Sequence, residues 1–296
     1  MVAGSVIRPM RAGDVAEVER VTGLAYHQLD VRTRPRDWPD PSDRDETAAA
    51  RWRERCLRTL ELDPGGCWVA EDDGGLLGAA ISSRRELMWL LSGFAVAASA
   101  QGTGLGARLL DAALSYGAGC LRGMLASSID PRAVRRYRLA GFTLHPTMLL
   151  WGPVDRALLP VVDFVREGSA ADRDLADSVD RLVRGAAHGP DHETLAALHP
   201  MLVVDGSTGR GYAYARPDGG VALLAATNER TAQRLLWECL ARTDPGRPVE
   251  VGHVTSAQEW AIDVGMAARL EVYQRGYLAL RHMRPPAPYL PSGWHL

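Results

Sequence analysis

The segment Phe94-Ala-Val-Ala-Ala-Ser-Ala-Gln101-Gly102-Thr103-Gly104-Leu105-Gly106-Ala107-Arg108-Leu109-Leu110 reads as a buried strand, a tight turn and the start of a helix, and it limits the chemistry of this chain more than any other stretch. Glycines at 102, 104 and 106 remove side chains where the backbone must turn sharply and come close to a ligand. The unpaired N–H groups at the start of the following helix, with the positive end of its dipole, then attract phosphate oxygens. Such a cradle needs no lysine, and the chain has none: its 34 basic residues are all arginine. That excludes a Walker-type loop, which ends in Gly-Lys, and a lysine Schiff base. The dinucleotide fingerprint fits poorly, because a third glycine after Gly104 and Gly106 would fall at Leu109. Gly-x-Ser-x-Gly occurs nowhere, which argues against a hydrolase nucleophile elbow.

The spacing that fits is Gln101-x-x-Gly104-x-Gly106 behind a strand ending near Val96. One helix and one strand further on comes Ser127-Ser-Ile-Asp130-Pro-Arg-Ala133-Val-Arg-Arg-Tyr137-Arg-Leu-Ala-Gly141-Phe142. Here Asp130 can cap a helix, Pro131 suits its first turn and Gly141 can end it in the left-handed conformation. Upstream, Val6 to Val18 reads as strand, turn and helix with an Asp14-x-x-Glu17 capping arrangement, and Trp68 to Ile81 as two antiparallel strands joined at Asp73-Gly74-Gly75.

The first pattern resembles the acetyl-CoA-binding motif of the GCN5-related N-acetyltransferase (GNAT) superfamily. The second is similar to that family's Asn-x-x-Ala-x-x-x-Tyr-x-x-x-Gly-Phe signature, with Asp130 in place of asparagine and Ala133, Tyr137, Gly141 and Phe142 in register. The resemblance covers about residues 5 to 152. It implies acetyl-CoA as co-substrate, bordered by Ala95, Val96, Gln101, Gly102, Thr103, Gly104, Leu105, Gly106, Ala107 and Asp130. It also implies direct attack by an amine on the thioester carbonyl, polarised by a backbone N–H near Val96, with Tyr137 as the acid that protonates the departing thiolate. The base stays open among Glu86, Glu71 and a water relay. Arg108 is the best arginine for a phosphate, while Arg132, Arg135, Arg136 and Arg138 read mostly as a solvated face.

The second half echoes the first. Phe164 to Asp172 repeats the strand-then-aspartate layout, with Arg166 and Asp172 six apart as are Arg8 and Asp14, and Met201 to Tyr214 reads as a second hairpin. The expected fold is therefore α/β with two tandem GNAT-like domains, residues 1–155 and 156–296, each a mixed, mostly antiparallel sheet flanked by helices. The second copy lacks the ligand chemistry: where the glycine turn should be, the chain reads Ala225-Ala-Thr227-Asn228-Glu229, and Ala261 stands where a tyrosine is needed. A supporting role is expected for it. Ser256-Ala-Gln-Glu259 reads as a capping box for its last helix, which should end at Gly265-Met266.

A formal charge of −2 and no basic tract speak against nucleic acid as a partner. The chain start carries no apolar signal core and Leu87 to Ala100 is too short to span a bilayer, so a cytoplasmic protein without membrane contact is expected. Cys56, Cys67, Cys120 and Cys239 lack paired spacing and read as free thiols. His188-Gly-Pro-Asp191-His192-Glu193, with His199 beyond, offers metal-binding residue types. Gly189-Pro190 breaks the helix that would put both histidines on one face, so a polar loop and no metal are expected; a part in lining the acceptor pocket is the second reading. The tail from Arg284, with Tyr289, Leu290 and Trp294, should dock. The partner is expected to be a small amine, which the acidic segment Arg36 to Glu46 could attract; a homodimer stays open, as do two rival roles, an acyl-CoA sensor and an assembly scaffold.

Overall fold

The computed structural model describes residues 4–34, 38 and 40–296; Arg36, Asp37 and Pro39 of the acidic segment lie outside the described residues. By contacts the chain divides into two compact units, Met1–Leu121 with Asp130–Arg132, and Arg122–Ile129 with Ala133–Leu296.

The first unit contains β1 (Val6–Pro9), α1 (Val15–Thr33), α2 (Glu46–Leu62), β2 (Cys67–Asp72), β3 (Gly75–Arg85), β4 (Met88–Val96) and α3 (Leu105–Tyr116). Its strands run β1-β2-β3-β4, each antiparallel to the next. The β2–β3 hairpin turns where Asp-Gly-Gly was read, with Gly75 at φ +119°. Consecutive residues of β3 from Gly78 to Ser83 are buried, so both faces of the strand are covered, and α1, α2 and α3 all pack on it. Val18, Trp52, Cys56, Ile81, Leu90, Leu109 and Leu110 fill the interior. Asp14 does not cap α1 as its spacing suggested. Its carboxylate instead accepts from the Arg11 amide and the Arg8 guanidinium, closing the turn ahead of the helix.

The second unit contains β5 (Arg122–Ser127), α4 (Pro131–Leu139, whose first turn belongs by contact to the first unit), β6 (Thr143–Pro153), β7 (Arg166–Glu167), α5 (Arg173–Val183), α6 (Asp191–Leu198), β8 (Met201–Gly206), β9 (Gly209–Ala215), β10 (Val221–Ala226), α7 (Glu229–Ala241), β11 (Pro248–Thr255), α8 (Glu259–Ala267), β12 (Glu271–Arg281) and β13 (Tyr289–Leu290). From β7 to β12 the element order repeats that from β1 to β6. One group of strands runs β5-β12-β6-β11 and another β13-β10-β9-β8-β7, with antiparallel pairings. A lone parallel bridge, Gly220 to Glu250, joins the ends of β10 and β11.

The last strands of the two repeats have changed places. β12 inserts between β5 and β6, and β6 in turn pairs with β11. The sixth strand of each repeat thus lies on the fifth strand of the other. This explains why contacts do not divide the chain at 155/156: residues 133–155 are held by ladders to strands from the second repeat.

Two apolar clusters fill this unit. One, with Leu150, Leu224, Leu236, Val251 and Trp260, joins α7 and α8 to the strands; the other, with Val179, Leu195, Val203, Tyr212 and Leu223, lies under α5 and α6. α8 starts after Gln258 and runs to Ala267, and Ser256 does not cap it; the Gln258 side chain bonds Pro286, Trp260 and Tyr289 instead. The tail docks as expected: β13 pairs with β10, and Tyr289, Leu290, Trp294 and Leu296 are buried. The four cysteines are free. No helix among the described residues is long and apolar enough to cross a membrane.

Candidate active site

The glycine turn has the form its sequence demands. Gly102 and Gly104 sit at φ +78° and +89°, where an L side chain is strained, and a Cβ built on either meets nothing within 4 Å. The glycines are therefore there for backbone conformation and for open space above it, not for packing within the chain. Gly104 is the N-cap of α3 and offers no side chain to its first amides. Leu105 N–H reaches Thr103 Oγ1 at 3.4 Å and Ala107 N–H the Gly104 carbonyl at 3.1 Å. The amides of Gly102, Thr103, Gly104 and Gly106 have no acceptor among the described residues. Four amide donors on an open surface at a helix N-terminus fit a pyrophosphate.

Several residues read as ligand contacts also brace this turn. The Gln101 side chain donates to the Val96 carbonyl at 2.8 Å, tying the turn to the end of β4, and Thr103 Oγ1 donates to Ala100 O at 2.8 Å. Leu105 is buried beneath α3, and Gly106 lies where a Cβ would touch Val96 and Phe94 at ordinary distance. Ala95 and Val96 extend the antiparallel pairing with Ala79 and Gly78. Ser92 is an extra residue in β4, since Ile81 pairs with Gly93 and Ser82 with Leu91; such a bulge bends the strand and turns its backbone groups.

Sequence reasoning missed Tyr26. This α1 side chain accepts from Phe94 N–H at 3.3 Å and donates to Phe94 O at 3.4 Å, on the strand that leads into the glycine turn. Burial pushes its phenol above the usual value, outweighing the bond donated by the Phe94 N–H, so it stays protonated at neutral pH. A tyrosine in an amphipathic helix carries no local signal for such a contact.

Asp130 accepts from the Arg132 amide at 2.9 Å, capping the start of α4, and also holds the Arg132 and Arg32 guanidinium groups. Burial raises its carboxyl, but the bonds from Arg132 and the charge of Arg32 prevail and leave it below the usual range. Its charge is thus taken up by arginines. Tyr137, in the second unit, is 5% exposed and packs edge-on against Phe142, with ring centroids 6.5 Å apart. Gly141 ends α4 at φ +89°, and Phe142 N–H returns to the Tyr137 carbonyl at 3.1 Å.

The two candidate bases do not suit that work. Glu86 lies in the β3–β4 turn, ten residues from Val96, which in an extended strand is roughly 30 Å. Glu71 is gripped by Arg8 at 2.7 and 2.8 Å, and that hydrogen bonding holds its carboxyl below the usual range. Arg108 turns to Ser5 at 3.2 and 3.3 Å, and Arg138 donates to the Phe142 carbonyl.

At the corresponding place in the second repeat a side-chain cap occupies the helix start. Asn228 caps α7, its Oδ1 accepting from Thr231 N–H at 3.0 Å, while its Nδ2 donates to Thr208 O at 2.9 Å in the β8–β9 turn. A Cβ on Gly209 would meet Thr231 Oγ1 at 2.3 Å and Asn228 Nδ2 at 2.4 Å, so the hairpin turn lies directly against the start of this helix.

The model of the GNAT acetyltransferase family matches residues 24–142. Residues 24–142 thus form a domain of the GNAT acetyltransferase family. That family is one of acetyltransferases. A search of curated proteins finds no match. Among solved structures, a Pyrococcus horikoshii protein provisionally assigned as an acetyltransferase superposes with a TM-score of 0.74 at 15% identity, over 99% of this chain and 95% of its own. A GCN5-related N-acetyltransferase from Sphaerobacter thermophilus gives 0.58 at 16%, over 97% and 98%, and one from Kribbella flavida 0.57 at 15%, over 93% and 70%. At such identities the likeness is one of fold, and in the first two cases it extends through both repeats of the chain.

Proposed function

We propose that this GNAT protein transfers an acetyl group from acetyl-CoA to the amine of a small molecule. The observation that carries the reading is the set of four unengaged amides at Gly102, Thr103, Gly104 and Gly106, opening onto free space at the N-terminus of α3. A pyrophosphate there gains several charge-assisted hydrogen bonds together with the helix dipole. Thr103 and Gln101 hold the turn in its receptive form before the ligand arrives, which lowers the ordering cost of binding.

In the reaction proposed, a neutral amine attacks the thioester carbonyl, a backbone N–H near Val96 stabilises the developing oxyanion, and Tyr137 gives its proton to the departing sulfur. The nitrogen loses its extra proton to solvent through water, since Glu71 is held by Arg8 and Glu86 lies at the far end of β4. The assignment of Tyr137 comes from the family signature that it shares with Ala133, Gly141 and Phe142. The second repeat, with α7 capped by Asn228, serves as framework.

The test is release of CoA thiol from acetyl-CoA with a panel of small amines. Amine-dependent release at one site per chain supports the reading. Tight acetyl-CoA binding with no turnover on any amine overturns transfer and leaves an acyl-CoA sensor; absence of binding overturns both.

A further inference from the structure

A second cluster of chemistry-bearing side chains lies in the second unit. Asp177 and Asp180 project from α5, His192 from the first turn of α6, and His188 from the loop between them. Left-handed turns at Gly185 (φ +86°) and Gly189 (φ +58°) fold that loop back, so the two histidines converge with no helix between them. This is the route that a reading of Gly189-Pro190 as a simple helix break leaves out. Asp180 and His188 are fully buried and His192 is 4% exposed.

We propose that Asp180, His188 and His192 form a buried binding site for a divalent transition-metal ion of the zinc class. One ligand atom from each of Asp180, His188 and His192 lies within 4.8 Å of the others. His192 Nε2 stands 3.4 Å from Asp180 Oδ2 and 3.3 Å from Asp177 Oδ1. Ligand atoms around a tetrahedral zinc at about 2.0–2.1 Å are separated by about 3.3 Å. The same nitrogen is buried, and its two carboxylate neighbours meet it without hydrogen-bond geometry, a loose arrangement that a metal bond would replace. His188 Nδ1 is 2.7 Å from Asp180 Oδ2, a hydrogen bond that must open by about half an ångström as the proton is exchanged for the ion.

The outer atoms of the same three ligands are each held by a tyrosine hydroxyl. Tyr212 donates to Asp180 Oδ1 at 2.6 Å, Tyr214 lies 3.0 Å from His192 Nδ1, and Tyr289 lies 3.4 Å from His188 Nε2. Partners on the non-coordinating atoms are how proteins fix the orientation and tautomer of metal ligands. Two nitrogens and a carboxylate oxygen in a dry setting suit zinc or cobalt(II) over magnesium or calcium, which prefer six or more oxygens. Because all three ligands are buried, the ion would be structural, tying α5 and α6 to strands β9 and β13 through their tyrosines.

The experiment uses the full chain, stripped with a chelator and titrated with Zn²⁺ and, separately, Co²⁺. The expected result is one ion per chain, with the intense visible ligand-field absorption of tetrahedral cobalt and no sulfur-to-cobalt charge-transfer band. Tyr214→Phe, which removes only the outer partner of His192, should weaken zinc affinity about 10- to 100-fold while circular dichroism stays native. His192→Gln should abolish the cobalt spectrum. If His192→Gln does not fold, Tyr214→Phe and the wild-type stoichiometry still decide. Less than one-tenth of an ion per chain, an octahedral or thiolate cobalt spectrum, or unchanged zinc affinity in Tyr214→Phe would each overturn the site.

Discussion

Arg166 holds Asp172 through two hydrogen bonds of 3.0 and 2.5 Å, the same two-pronged grip by which Arg8 holds Asp14 at 2.7 and 3.0 Å. In both repeats the aspartate also accepts a backbone N–H three residues before it, from Ser169 at 2.9 Å and from Arg11 at 2.7 Å. The arginine at the first strand and the aspartate ahead of the first helix thus fix the angle at which the chain enters that helix. The six-residue spacing seen in the sequence is the trace of this device.

The hydrogen bonds from Arg166 pull the Asp172 carboxyl down to about 2, against the opposing effect of burial. A carboxyl depressed in the folded state contributes stability above its unfolded value, near 3.9, and loses it as pH falls through the folded value. Asp172→Asn should therefore destabilise the protein at pH 7 by about 1 kcal/mol, since Arg166 is half exposed and screened. Urea denaturation at pH 7 and pH 2.5 measures the difference. The gap between wild type and variant should shrink at the lower pH; a gap that is constant or grows would remove the ion pair as its cause.

The exchange of final strands makes the first repeat dependent on the second. A chain ending at residue 155 lacks β12 and β11, and these supply both ladder partners of β6 and one of β5. Unpaired strand edges of this length associate or stay unfolded. Residues 1–155 expressed alone should show no cooperative thermal transition by circular dichroism and should aggregate. A sharp, reversible melt from a monomer would show that β12 is dispensable.

What was legible in the sequence was local. Gly104 announces a left-handed residue, Gly141 a helix end and Arg8 with Asp14 a strand-to-helix entry, because each is decided within a few residues. Strand exchange was not legible: the alternation of apolar residues in β6 and β12 specifies a buried strand and not which strand lies beside it. The Tyr26 contact with Phe94 and the meeting of Asp180 with His192 depend on tertiary placement in the same way. Glu86 misled for the opposite reason, since closeness in sequence to a functional strand says nothing about which end of it the residue occupies.

The two helix starts that follow β4 and β10 predict opposite responses. Gly104→Glu puts a carboxylate over the open amides of the turn and should weaken acetyl-CoA binding at least tenfold, or about 1.4 kcal/mol. Asn228→Ala removes the cap of α7 and should lower stability by about 1 kcal/mol, yet leave acetyl-CoA affinity unchanged. Calorimetric titration of both variants, with thermal melts alongside, checks the pair. Tight binding by Gly104→Glu, or weakened binding by a folded Asn228→Ala, would move the cofactor away from the glycine turn.

Tyr137→Phe should lower turnover while acetyl-CoA affinity stays near the wild-type value. The substitution keeps the ring that packs on Phe142 and removes only the hydroxyl, so packing is retained and the proposed proton donor is lost. General acid catalysis is worth roughly a hundredfold or more, and water can serve as a poorer donor, so kcat should fall about 10- to 1000-fold. The deficit should narrow as pH rises, because the departing thiolate then needs no proton at once. Measuring kcat between pH 6 and 9, with the amine found by thiol release and with chemistry shown to limit the rate, separates a proton donor from a packing residue. A Tyr137→Phe protein with full kcat at every pH would leave the hydroxyl without a role in the transfer.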